Sequence, residues 1–271
     1  MADILAPADD WPVDTAGVGV TDAEATLELR GAVDTVLPFA SVTKPLAAYA
    51  VLVAVQDGVV HLDEPAGPEG ATVRHLLAHA AGLSFDGTGP TGAPGRRRMY
   101  SNVGYDLLGD LVAERVGTPF AEHLAHEVLD PLGMHDTVLD GSPAKDGRGT
   151  VVDLLAFCRE LLAPTLLDSE LAREATTVAF PGLDGVLPGH GRQQPNDWGL
   201  GFEIKDGKQP HWTGAQLSAA SFGHFGQSGS FVIVDPEAGV GLASLADRPF
   251  GDWCREAWPT VQDAAVAAYG R

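Results

Sequence analysis

The strand-forming segments of this chain lie near its two ends, and the long stretch between them has the periodicity of helices. Near the N-terminus "ATLELRG" (residues 25–31) alternates apolar and polar side chains, as a half-buried strand does. Toward the C-terminus "WGLGFEIKDG" and "FGHFGQSGSFVIVDPEAGVGLASLAD" read as strands, the last two joined by a turn at residues 235–239. Between these ends "ATVRHLLAHAAG", "VGYDLLGDLVAERVG" and "TVVDLLAFCRELLA" repeat with a period of about 3.6, with Thr or Asn before them or Gly after them. Gly/Pro-rich stretches such as "FDGTGPTGAPG" separate these helices as loops, and residues 253–269 form a final Ala-rich helix. Such a distribution allows one sheet assembled from both ends of the chain. The predicted division is residues 1–58 with 198–271 as an α/β sheet domain and 59–197 as an inserted helical lobe. A small-molecule site belongs in the cleft between them.

Composition narrows the chemistry. With 45% hydrophobic and 20% charged residues the chain can bury a sizeable core. A formal net charge of −20 argues against nucleic acid and anionic membranes as partners, and leaves a small molecule. The first residues, "MADILAPADDWPVD", contain neither a basic segment nor a long apolar one, and the apolar run at residues 46–55 is too short to span a bilayer. The expected location is cytoplasmic. Cys158 and Cys254 form no disulfide framework and read as two reduced thiols.

Three short motifs carry chemistry. In "FASVTKPLAAYAVLVAVQDG", Ser41 and Lys44 are three residues apart, on one face of a helix that begins there. Pro45 has no N–H to close a bond to the Ser41 carbonyl, so Ser41 is held at the helix start, its own N–H pointing outward. A neutral lysine in reach could take the hydroxyl's proton, although Ser before a helix is also an ordinary cap. In "RRRMYSNVGYDLLGDL", Tyr100 and Asn102 precede a helix. A phenol whose pKa is lowered by a neighbouring ammonium can move a proton, and an amide can hold a substrate carbonyl; alternatively Asn102 caps the helix. In "FGHFGQSGS", Gly226 after His224 and Phe225 lets a substrate approach the backbone and leaves the Gln227 N–H free. A lone strand histidine by itself is more often structural. Ser228 is rejected as a nucleophile, because "GQSGS" lacks the final glycine of the elbow motif and runs between strands.

Taken together and in this order, the three motifs resemble the serine β-lactamase-like superfamily, which includes class C β-lactamases, DD-peptidases and family VIII esterases. "ATVRHLLAHAAGL", "VLDPLGMHDT" and "WGLGFEI" extend the likeness over most of the chain between residues 35 and 245. The resemblance implies an α/β (α+β) fold of the β-lactamase/transpeptidase type, with an antiparallel sheet flanked by helices and a reduced helical lobe. It implies Ser41 as the acylated nucleophile, Lys44 as its base and Tyr100 as the proton shuttle to the leaving group. Asn102 would contact substrate, with His224, Phe225 and Gly226 beside it, and the N–H groups of Ser41 and Gln227 would form the oxyanion hole. No cofactor or metal is implied. His75 and His79 are spaced as zinc ligands can be, but no Glu follows the first, and metal binding is discounted.

The chain departs from that family where substrate is read. Lactam- and peptide-processing members generally carry Lys-Thr or Lys-Ser where His224 and Phe225 stand, so a substrate carboxylate loses its partners. The separation of Ser41 from Tyr100 is short for a class C enzyme, which implies a trimmed lobe. The expected activity is therefore that of an esterase on small carboxylic esters or amides. A β-lactamase, a D-alanyl-D-alanine peptidase and a non-catalytic ligand-binding relative are the alternatives. Arg96, Arg97 and Arg98 could meet an anionic substrate group or form a solvated loop, and Trp198 and Trp212 could line an acyl pocket or pack in the core.

Overall fold

The computed structural model describes residues 3–87 and 89–271; Thr88, in the Gly/Pro-rich loop, lies outside them. The strands are β1 (Ala16–Thr21), β2 (Thr26–Gly31), β3 (Leu37–Pro38), β4 (Val138–Leu139), β5 (Gly147–Gly149), β6 (Gly185–Leu187), β7 (Gly191–Gln193), β8 (Glu203–Ile204), β9 (Phe222–Gly226), β10 (Ser230–Asp235) and β11 (Val240–Ala246). The helices are α1 (Thr43–Gln56), α2 (Val73–Leu77), α3 (Val103–Val116), α4 (Phe120–Leu124), α5 (Val151–Leu162), α6 (Ser169–Ala175) and α7 (Asp252–Tyr269). Six strands form one antiparallel sheet in the order β2-β1-β11-β10-β9-β8, so strands from the two ends of the chain do meet, at β1 and β11. Ala16 pairs with Ala246 and Thr21 with Gly241, which closes the chain on itself.

Alternation along the central strands sorts their side chains between two cores. Val232, Val234, Ala243 and Leu245 belong to the core shared with α1 and α5, whereas Phe231, Ile233, Val240 and Leu242 belong to that shared with Trp258, Val261 and Ala265 of α7. Helix α1 is buried from Thr43 to Ala54 on every side, which is why its sequence is apolar all round rather than striped. Helix α5 belongs to the predicted helical lobe by position, yet it packs on β1, β10 and β11. Two glycines admit it: a Cβ at Gly241 would stand 2.7 Å from Cys158 Cβ, and one at Gly19 only 2.6 Å from a Leu155 methyl.

One strand was not anticipated, and one expected helix is cut short. Strand β1, "AGVGVT", carries too many glycines to show alternation, and its place beside β11 comes from pairing alone. The helix expected through "ATVRHLLAHAAG" ends at Leu77, because His79 adopts a left-handed backbone (φ +54°). Asn102 stands at the N-terminal boundary of α3, but its side chain makes no capping bond. Both cysteines are free and buried. Among the described residues no helix is long and apolar enough to cross a membrane.

Candidate active site

Ser41 lies not in α1 but in a single 3₁₀ turn, Ala40–Val42, that leads into it. Ala40 before it has φ +46°, a left-handed conformation that costs a residue with a side chain on the order of 1 kcal/mol or more. The turn is braced by Thr43 Oγ1 donating to the Ala40 carbonyl at 2.7 Å and by Ser230 Oγ donating to the Phe39 carbonyl at 2.7 Å. Gly226 at the end of β9 sits against this turn. A Cβ there would overlap the Phe39 carbonyl oxygen and come within 3.2 Å of the Ser41 nitrogen. Its missing side chain therefore admits the protein's own backbone, where the sequence suggested room for substrate. The close approach sets Gln227 beside Ser41, and neither residue's N–H has a protein acceptor among the described residues.

Lys44 is fully buried. Its Nζ lies 2.6 Å from Asn102 Oδ1, 2.8 Å from the Ala144 carbonyl and 3.4 Å from Ser41 Oγ. No carboxylate touches it. Burial lowers its pKa to about 7, with Asp106 and Asp86 only partly opposing the shift. In the neutral amine two N–H groups are available. Asn102 Oδ1 and the Ala144 carbonyl can only accept, so they take both, and the lone pair is left toward Ser41 Oγ. Asn102 thereby serves the lysine, and its Nδ2 donates to Asp86 Oδ1 at 2.8 Å. One N–H of that amide remains for the expected contact with substrate.

Tyr100 faces the same hydroxyl from the other side, with Lys44 Nζ 4.6 Å from its ring centre. Its phenol lies 3.2 Å from His224 Nε2. His224 Nδ1 is 2.6 Å from the Phe225 carbonyl, an obligate acceptor, so Nδ1 carries the proton. Burial, with Lys44 nearby, lowers the His224 pKa to about 3. The ring is neutral, Nε2 accepts, and Tyr100 O–H donates. Burial likewise pushes the phenol well above its usual pKa, and the Ser41 hydroxyl opposes this only in part. The sequence reading supposed an ammonium that lowers Tyr100. With Lys44 itself titrating near 7 there is no fixed cation to do so, and the phenol stays protonated.

A cavity of about 100 Å³ joins Ser41, Tyr100, Trp198, Glu203, His224, Phe225 and Gln227. Beyond Phe85, Tyr100 and Pro188, which line both, an outer cleft of about 290 Å³ continues along Leu83, Met99, Val186 and Arg97. Phe225 divides itself between the cavity and a cluster with Trp212, Phe250 and Trp258. Trp198 lines the site, whereas Trp212 is core and donates its indole N–H to Glu203 at 2.9 Å. The three arginines separate. Arg98 is buried with its guanidinium on the carbonyls of Ala78, Ala179, Phe180 and Asn196, and Arg97 stands exposed 3.7 Å from Asp184. Among the described residues Ser228 Oγ bonds only Ser230 Oγ, at 3.0 Å.

Glu203 escaped the sequence reading. It is buried in the cavity wall, with Lys208 Nζ at 3.3 Å, His211 Nε2 at 2.8 Å and Trp212. Burial alone would raise its carboxyl, but Lys208 and His211 outweigh that and hold it well below the usual range. An acidic residue inside a strand-forming run, with Lys and His a few residues on, was the available signal.

Comparison with known proteins fits this geometry. The beta-lactamase family profile matches residues 4–267. The chain belongs to the beta-lactamase family. Within this family of serine hydrolases, a solved beta-lactamase (Mb2281c) from Mycobacterium bovis is 49% identical, covering 99% of this chain and 100% of its own, with a TM-score of 0.97. The D-alanyl-D-alanine-carboxypeptidase/endopeptidase AmpH of Escherichia coli is 28% identical over 50% of this chain and 45% of its own length. Esterase EstB of Burkholderia gladioli is 31% identical over 44% and 41%. The match thus spans less than half the length of these two curated family members.

Proposed function

We propose that this beta-lactamase-family hydrolase is an esterase acting through an acyl-enzyme on small, uncharged carboxylic esters or amides. One observation carries the reading: a buried lysine without a carboxylate partner, whose two neutral N–H groups are occupied and whose lone pair is left for Ser41 Oγ. Ser41 attacks the acyl carbon as Lys44 takes its proton. The N–H groups of Ser41 and Gln227 receive the developing oxyanion, the kind of fixed donor pair that supplies a large share of barrier reduction. Tyr100, held protonated, gives its proton to the departing alkoxide or amine and is restored from the Lys44 ammonium. Water then repeats the attack on the acyl-enzyme.

The wall of the cavity supports an uncharged substrate. His224 is neutral at any physiological pH, Phe225 offers no polar atom, and Glu203 is an anion. A β-lactam or D-alanyl peptide carboxylate placed there forgoes charge-assisted hydrogen bonds, a deficit of roughly 2–4 kcal/mol. That corresponds to roughly 30- to 1000-fold in kcat/KM. The outer cleft, on the Tyr100 side, suits an apolar leaving group.

β-Lactam hydrolysis is the second reading, favoured by the Mycobacterium bovis structure and by Arg97 in the outer cleft. Kinetics with nitrocefin and p-nitrophenyl acetate separate the two: a higher kcat/KM for the ester is expected, and a higher value for nitrocefin overturns the esterase assignment. Stoichiometric labelling of Ser41 by a fluorophosphonate, located by mass spectrometry, tests the nucleophile. Absence of labelling would leave a ligand-binding relative.

A further inference from the structure

His79 ends the region of α2 in a left-handed backbone conformation and is buried. Its carbonyl accepts the Met99 N–H at 2.7 Å, and its ring Nδ1 accepts the Ser101 N–H at 3.2 Å. One residue thus takes alternate N–H groups of a passing segment, which is what an adjacent strand does. The residue between those two N–H groups is Tyr100. The His79 ring also lies along the Tyr100 ring, with centroids 4.5 Å apart, and Trp198 closes the far side edge-on at 4.8 Å from His79.

The left-handed backbone and the imidazole serve one geometry. The carbonyl and the side chain of His79 reach the same segment, which requires the turn at φ +54°. His, Asn and Asp are the side-chain-bearing residues that enter this region most readily. A backbone N–H can only donate, so Nδ1 is the acceptor and the neutral ring keeps its proton on Nε2, as burial requires. On the far side of the segment Ser101 Oγ donates to the Ser84 carbonyl at 2.6 Å, and the Asn102 N–H to the Phe85 carbonyl at 2.8 Å.

We propose that His79 is the positioning residue of Tyr100: its carbonyl and Nδ1 grip residues 99 and 101 so that the phenol stands between Ser41 and His224. The inference rests on the proton-donor role proposed for Tyr100. A histidine that merely filled space would need neither its acceptor nor its backbone conformation.

Two substitutions divide the roles in the full-length protein. H79N keeps an acceptor at the position of Nδ1 and tolerates the left-handed backbone, but removes the ring. H79F keeps the ring and removes the acceptor. With p-nitrophenyl acetate, H79F is expected to lower kcat by about 10- to 100-fold, the scale of a misplaced catalytic group, with KM changed less than about twofold. H79N should stay within about threefold of the parent, as expected when the acceptor geometry is preserved.

In a Tyr100→Phe background H79F should cost nothing further, because the group it places is gone. Rates are normalised to fluorophosphonate-reactive Ser41, so loss of folded protein does not enter. Should H79F not fold, H79Q, with its acceptor displaced by one methylene, replaces it with the same expectation. Equal losses from H79N and H79F, or the same loss from H79F with and without Tyr100, would overturn the positioning role. An unchanged kcat in Tyr100→Phe alone would instead remove the proton-donor reading, and this inference with it.

Discussion

Two buried lysines flank the Ser41 cavity, one with a carboxylate partner and one without. Lys208 Nζ is held by the carbonyls of Asp197 and Ile204 and by the Glu203 carboxylate at 3.3 Å. Lys44 Nζ is held by the Ala144 carbonyl, by Asn102 Oδ1 and by Ser41 Oγ. Burial lowers both, but the Glu203 charge pulls Lys208 back toward the ammonium, whereas Lys44 falls to about 7 with only more distant carboxylates to oppose it. A carboxylate in contact favours the ammonium of a buried lysine; neutral partners alone leave burial to favour the free amine that a base requires.

The largest expected effect comes from replacing the neutral amine by a permanent cation. Lys44→Arg cannot be deprotonated, so ester turnover should fall by about 10⁴-fold, as it should in Ser41→Ala. Circular dichroism should show both variants folded. Wild-type acylation in Lys44→Arg would locate the base elsewhere.

Converting Lys44 into a second Lys208 sharpens the contrast. Asn102→Asp, combined with Asp86→Asn to avoid repulsion, places a carboxylate against Nζ and should raise its pKa by about 1–3 units. In the parent, acylation should rise with pH through about 7 and then level, since the neutral amine is the active form. In the double variant that rise should move to higher pH, with a rate at pH 7 lower by about 5- to 500-fold. A pH–rate profile that does not move would mean that the rise belongs to another group.

The opposite change strands the anion. Lys208→Met leaves Glu203 buried with His211 and Trp212 only, and should destabilise the protein by about 3–5 kcal/mol in urea unfolding. Activity per reactive Ser41 should change far less than in Lys44→Arg. A Lys208→Met protein as stable as the parent would show that the pair contributes little to folding.

The smallest effect is a pH-dependent stability difference between the parent and Lys44→Met. The unfolded lysine binds its proton up to its ordinary pKa near 10.5, and the folded one only up to about 7. Between these values the unfolded state holds more protons, so parental stability rises with pH relative to Lys44→Met. From pH 7 to pH 10 the gain should be on the order of 3 kcal/mol. A flat difference would contradict the low pKa of Lys44.

Much of the fold was legible. Residues 103–116 and 151–162 carry helical periodicity that needs no tertiary information, and Gly117 ends the first of these in the left-handed conformation its type favours. The strands β10 and β11 announce themselves by β-branched runs around a turn, where Asp235 accepts the N–H groups of Glu237 and Ala238. Strand β1 did not, since a segment with glycine at every second place has no pattern until a partner supplies one. The helix expected through residue 79 failed for a related reason: the demand on His79 comes from a segment twenty residues away.

The sequence by itself determined which side chains were present at the site and their order: a serine three residues before a lysine, a tyrosine two before an asparagine, a histidine two before a glycine. It determined this because local spacing fixes which groups share a helix turn or strand edge. Only the tertiary structure decided what each group is. Asn102 became a partner of Lys44, Tyr100 a protonated donor, His224 a neutral acceptor, and Gly226 the point where β9 touches the Ser41 turn. Those identities depend on burial and on contacts between residues 58 to 191 positions apart, such as Lys44 with Asn102 and Phe39 with Ser230. Charge state follows from solvent exclusion and from the nearest opposite charge, and neither is written in the neighbouring residues.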